Sequence, residues 1–230
     1  MMKDLAVIET ILRNRYYFFN EIRQGINLPE KMRAMLISSI AFLALYGAVM
    51  GSTHSLWQAL SSAAKLPILF LATLIVCSPT LYFFNILFGS DQSLTQNIAL
   101  TLTAITVTAV LLLSFAPIAM FFLLTTSNYQ FFKLLNVAVF IAAGGMGVLF
   151  LGQGMRVVSG EGKEGSGARH LVLRLWILVY AFVGSQMAWT LRPFIGAPSM
   201  NFELFRQFGG NFYTNIVASV GEILGFLVVR

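Results

Sequence analysis

Residues 97–124 read NIALTLTAITVTAVLLLSFAPIAMFFLL, and none of these 28 side chains is ionised at neutral pH. A helix of that length measures about 42 Å at 1.5 Å per residue, against a hydrocarbon core of roughly 30 Å. The stretch therefore reads as a transmembrane helix, longer than a span needs and expected to tilt or to bend at Pro117. Working outward, similar runs lie on either side. One covers about Pro67–Phe88, with a kink expected at Pro79. Another covers about Phe131–Leu151 and contains Ala143-Gly144-Gly145-Met146-Gly147, small residues at helix-contact spacing. A first segment covers about Met35–Gly51, where Gly47 and Gly51 form a G-x-x-x-G close-approach surface. A fifth covers Leu171–Leu191. The last run, Asn215–Val229, is short and carries Glu222 between Gly221 and Gly225. It is either a sixth span, if extended back to Phe212, or a re-entrant or surface helix.

Composition agrees with these runs. The chain of 230 residues is 57% hydrophobic and 10% charged, with a mean hydropathy of +0.79; a soluble domain is about 25% charged. Lipid must solvate much of this surface. The expected fold class is all-α, a polytopic membrane helical bundle of five or six transmembrane helices preceded by an N-terminal amphipathic helix. Residues 1–28 form a cytoplasmic arm, and 29–230 a single transmembrane domain. The first long apolar run starts near Ala34 behind charged and mixed residues, with no A-x-A-like cleavage site after it, and reads as an uncleaved signal-anchor.

Within the arm, Leu5, Ile8, Leu12, Tyr16, Phe19, Ile22 and Ile26 recur at three- and four-residue steps. They predict one amphipathic helix, lying in the interface or against the bundle's cytoplasmic end, with Gly25 as its stop. Asn27-Leu28-Pro29-Glu30 restarts a helix, with proline and a carboxylate in the first turn. Leu56, Trp57 and Leu60 predict a separate short interfacial helix before Lys65. Phe202, Phe205 and Phe208 predict another.

Lysine and arginine set the orientation. The arm and the loop after the fourth segment hold ten (Lys3, Arg13, Arg15, Arg23, Lys31, Arg33, Arg156, Lys163, Arg169 and Arg174), against Lys65, Lys133, Arg192 and Arg206 on the other side. That bias places the N-terminus in the cytoplasm. The net charge of +6 is spread along loop ends, which suits lipid headgroups rather than nucleic acid.

Motifs for chemistry are sparse. Cys77 is the single cysteine, so neither an internal disulfide nor a thiolate metal cage is available. His54 and His170 fall in loops on opposite sides. Residues 160–165 match G-x-G-x-x-G in letters, but they lie between two apolar spans and read as a flexible loop. No metal, cofactor or catalytic residue is expected, only lipid contacts. The middles of the first four segments carry no ionisable residue, which argues against ion coupling. Four polar residues stand out: Glu222, a carboxylate in an apolar run that is either buried against Arg192, Arg206 or a substrate or stands near the end of a surface helix; Arg192 itself, in the rigid aromatic stretch 191–198; and Thr101 and Thr108 of the threonine-rich third segment. Threonines there either line a polar path or bond their own helix. Asn85 and Asn97 are expected to cap the helices flanking Asp91.

Pro79-Thr80-Leu81-Tyr82-Phe83-Phe84-Asn85-Ile86-Leu87-Phe88-Gly89, a short polar loop and then the threonine-rich helix resemble the Yip-type multi-pass membrane proteins. The wider run from Leu66-Pro67-Ile68-Leu69-Phe70 to Asn128-Tyr129-Gln130-Phe131-Phe132 also resembles an uncharacterised cyanobacterial multi-pass family, some of whose members carry an actin-binding (WASP-homology) label. The Yip-type resemblance implies a non-enzymatic, membrane-organising role and transfers no functional residue. The expected function is thus a non-catalytic integral membrane scaffold or accessory subunit in a bacterial plasma membrane or thylakoid. It would associate with itself or with another membrane protein. The alternative is a channel or facilitator for a small neutral solute.

Overall fold

The apolar runs at 35–51, 97–124 and 131–151 each lie in a helix that extends past them, and those at 67–88 and 171–191 lie in helices that begin well before them. The computed structural model describes residues 2–87, 92–126, 128–159, 166–196, 202–205 and 212–223, and the regular structure among them is helical. Helices α1 (Met2–Arg13) and α2 (Arg15–Gln24) form the arm. The long helices are α3 (Leu28–Gly51), α4 (Leu56–Leu87), α5 (Leu94–Thr125), α6 (Tyr129–Ser159) and α7 (Ser166–Thr190), followed by the shorter α8 (Phe212–Ile223). By length and composition α3, α4, α5 and α6 can each cross a membrane.

Several expectations change in detail. The arm is two helices, broken at Asn14. The break resets the helical phase. Ile8, Ile11, Phe18, Phe19 and Ile22 are buried, whereas Leu5, Leu12, Tyr16 and Ile26 of the predicted stripe are exposed. At the end of α2, Gly25 takes a left-handed φ of 74°. The amides of Gly25 and Ile26 donate back to the Ile22 and Glu21 carbonyls at 3.1 and 3.0 Å, which is the Schellman closure that favours glycine. The interfacial helix predicted before Lys65 is not separate: α4 runs unbroken from Leu56 through Pro67 and Pro79. Each proline removes one backbone hydrogen bond, a loss that packed neighbours can offset. The cap of α5 is Ser93, not Asn97: the Gln96 amide donates to Ser93 Oγ at 3.2 Å, and the Ser93 amide to Gln96 Oε1 at 2.8 Å. Asn85 and Asn97 are instead buried. Residues 202–205 are non-helical, while Phe208 lies outside the described residues, as do Asp91 and the glycine-rich letters 160–165.

The long helices lie in a row, α6–α5–α3–α4–α7, each packed on the next. The direction of each helix follows from its contacts. Thr103 Oγ1 lies 3.4 Å from Met35 Sδ and Thr106 lies 3.0 Å from Ser39, so α5 runs parallel to α3. Gly51 lies against Gln58 and Ala59, and Gly47 against Ser62 and Ala63, so α3 and α4 are antiparallel. Trp176 Nε1 donates to the Cys77 carbonyl at 2.9 Å and Gly184 lies against Thr73, so α7 is antiparallel to α4. Helix α8 touches both ends of the row, α6 and α7. Lipid gives helices little hydrophobic reason to associate, so close van der Waals approach and interhelical hydrogen bonds must hold this row. Outward-facing Ile75, Phe83, Leu124 and Ile141 are exposed, as lipid-solvated side chains should be.

Candidate functional site

One stripe of α4 is polar. Gln58, Ser62 and Lys65 follow at i, i+4 and i+7, and all three are buried. They face the carbonyls of the segment after α7. Gln58 Nε2 donates to the Pro193 carbonyl at 2.8 Å, and Ser62 Oγ to the Phe194 carbonyl at 2.6 Å. Lys65 Nζ donates to the Pro193 carbonyl at 3.3 Å and also to that of Leu204, and stands 4.9 Å from the Phe205 ring centre. Only 4% of Lys65 is exposed. Burying an ammonium is costly unless hydrogen bonds replace its water, and here backbone carbonyls and an aromatic face do so. The same segment buries Ile195 and sets Gly196 against the His54 ring, where a Cβ would collide. Residues 193–196 and 204–205 therefore cover the end of the α3–α4 hairpin. The chemistry is that of a polar latch. Beside it, the Arg192 guanidinium stacks 3.5 Å over the Trp189 ring.

From sequence alone, Lys65 reads as a charge flanking the spans, and nothing at Gln58 itself singles it out. The available signal was their spacing with Ser62, which puts all three on one helical face.

The threonines of α5 turn inward. Thr101, Thr103, Thr106 and Thr108 are buried, and each donates to the carbonyl four residues back, at 3.0, 2.7, 2.8 and 2.9 Å respectively. Thr108 also reaches the Ala143 carbonyl at 3.4 Å. A Cβ on Gly147 would strike Thr108 Oγ1 and the Ala104 carbonyl. Ala143 and Gly147 thus bring α6 onto α5, as Gly47 and Gly51 bring α3 onto α4. In contrast, a Cβ on Gly144 or Gly145 would meet no atom within 4 Å. Farther along the bundle, Tyr46 donates to Asn136 Oδ1 at 2.8 Å, and Asn136 Nδ2 to the Phe132 carbonyl at 2.8 Å.

Glu222 is exposed in the last turn of α8 and accepts from Gln130 Nε2 of α6 at 2.8 Å. One turn away on α6, Lys133 donates to Asn215 Oδ1 at 3.0 Å. Of the two readings of Glu222, its exposed position matches that of a carboxylate near the end of a surface helix, and its contact is an amide of α6 rather than Arg192. Arg206 and Gly225 lie outside the described residues, and Gly221 is half-buried on α8. Among the described residues no three histidine, cysteine or carboxylate side chains gather as a metal site would require. No protein-family profile, curated protein or solved structure matches the chain.

Proposed function

We propose that the chain is a non-catalytic integral membrane scaffold or accessory subunit, with α7 as a fifth span, the N-terminus in the cytoplasm, and α6 offering its open face to a second membrane helix. The observation that carries the reading is the contrast between two kinds of small residue. Gly47, Gly51 and Gly147 are consumed by contacts within the chain, whereas Gly144 and Gly145 open onto free space between exposed Ile141 and Leu149. Small residues on a lipid-facing helix permit a partner backbone to approach closely. The threonines that a facilitator would use for a polar path spend their hydroxyl hydrogens on their own helix, which favours the scaffold over a solute pathway. The test is a single-cysteine protein, Gly145→Cys in a Cys77→Ser background, treated in native membranes with a short bifunctional maleimide. A discrete cross-linked species is expected. Monomer alone, together with solute flux from liposomes containing the wild type, would overturn the reading.

A further inference from the structure

The arm presents a second face that the bundle does not use. Ile8, Ile11, Phe18, Phe19 and Ile22 point inward, and Phe19 fills the space left by Gly154 of α6. On the outer side of the elbow between α1 and α2, Leu12, Tyr16 and Tyr17 are 47%, 69% and 61% exposed, and Arg13 and Arg15 are exposed beside them. We propose that this elbow, Leu12–Tyr17, binds the headgroup of an anionic phospholipid.

Depth, charge and side-chain type point the same way. The Arg15 guanidinium lies 5.9 Å over the Phe150 ring. Phe150 stands nine residues before the end of α6 at Ser159, about 13.5 Å along the axis. Helix α6 has 31 residues, about 46 Å, so without tilt roughly 16 Å of it projects beyond a 30 Å hydrocarbon core, summed over both ends. With that excess shared evenly between the ends or all at the Ser159 end, the elbow lies within about 6 Å of the level where acyl chains give way to phosphates. The inference rests on α6 being a membrane span. The charged groups around the elbow sum to a basic patch. Arg13 lies 3.2 Å from Glu9, both largely exposed, an ion pair worth little in water. Glu21 is taken by Lys31 at 2.9 Å, and Arg15 and Arg23 add positive charge. Guanidinium groups suit phosphate oxygens geometrically. A free phosphate would use the arginines alone, whereas tyrosine and leucine exposed alongside them match an interface that is apolar below and wet above.

The experiment uses the full chain in phosphatidylcholine nanodiscs and follows phosphatidylglycerol retention by native mass spectrometry, with inorganic phosphate as competitor. Wild type is expected to enrich phosphatidylglycerol. Arg13→Gln with Arg15→Gln should weaken that preference by about fivefold per arginine. Tyr16→Ser with Tyr17→Ser should lower retention of both lipids. The control Arg174→Gln, on exposed α7 surface, should match wild type. The proposal is overturned if the double arginine variant stays within twofold of wild type, if Arg174→Gln loses as much, or if inorganic phosphate displaces the lipid. A wild type that enters no bilayer would overturn the membrane reading and this proposal with it.

Discussion

At Gly47 and Gly145 the same residue type does opposite work. A Cβ at Gly47 would press on the Ser62 carbonyl, a backbone atom that cannot step aside as a side-chain end can. Gly47→Ala should therefore cost about 1–3 kcal/mol through overpacking. Gly145→Ala meets open space and should gain up to about 1 kcal/mol of helix propensity. Thermal unfolding in one detergent checks both, and equal melting temperatures would mean that the α3–α4 approach is looser than it stands here. Lys65 makes a different residue-scale argument. Lys65→Met leaves the Leu204 carbonyl without its ammonium donor, while Pro193 keeps Gln58. A hydrogen bond to a charged group contributes about 1.5–3 kcal/mol, so the covering segment should open more often. With Ile195→Cys as reporter in a Cys77→Ser background, maleimide labelling should speed up roughly tenfold or more, and Lys65→Arg should restore much of the protection. Unchanged labelling would show that Gln58 and Ser62 hold the segment without Lys65. Glu222→Gln keeps an acceptor for Gln130 on an exposed surface. It should change stability by less than about 0.5 kcal/mol, read in the same melting assay.

For helices, what the sequence made legible was the existence of each apolar run, because lipid leaves a spanning segment few alternatives to helix. Boundaries and phase were less legible. Residues 56–65 read as a separate interfacial helix because Lys65 and Pro67 resemble an end signal, yet the acceptors for Lys65 lie more than a hundred residues away in sequence. The arm reads as one helix because Arg13 and Arg15 are good helix formers and Asn14 between them is no strong breaker; the turn there accompanies the burial of Phe18, Phe19 and Ile22. The contact glycines were visible as spacing, but which of them meet a partner within the chain was not. That difference between Gly147 and Gly145 depends on the crossing of α5 and α6, which no local pattern encodes. Helix α5 carries a prediction at this scale. Its threonines bond their own backbone, so Thr106→Val removes the contacts to Leu102 and Ser39 without changing shape. Interhelical polar contacts in membranes average about 0.6 kcal/mol, so a small loss of stability is expected. Loss greater than about 2 kcal/mol would mean that the Ser39–Thr106 contact is a principal lock between α3 and α5.

Across the whole molecule, helix direction links the latch to topology. Helices α3 and α5 run one way, α4 and α6 the other, and α7 lies antiparallel to α4 from Trp176 at Cys77 to Gly184 at Thr73. The covering segment after α7 then meets α4 again at Lys65. From Cys77 back to Lys65 is twelve residues of α4, about 18 Å, and α7 with its following segment accompanies α4 over that distance. If α4 crosses the bilayer, α7 has too little freedom to stay on one side of it. On the topology proposed above, with α7 as a fifth span, the start of α3 and the end of α6 share one side and residues 193–196 lie on the other, and the lysine and arginine bias of the sequence would make the first side cytoplasmic. An impermeant maleimide applied to intact cells should label a cysteine replacing exposed Glu203 but not one replacing Gly162, both in a Cys77→Ser background. After permeabilisation both should react. Labelling of Gly162→Cys in intact cells, with Glu203→Cys protected, would invert the orientation while preserving the alternation. Labelling of both from the same side would remove α7 as a span and reduce the membrane domain to the four helices α3–α6. The latch would then lie on the same side as the arm, and the row of five helices would have to tilt its last member out of the bilayer.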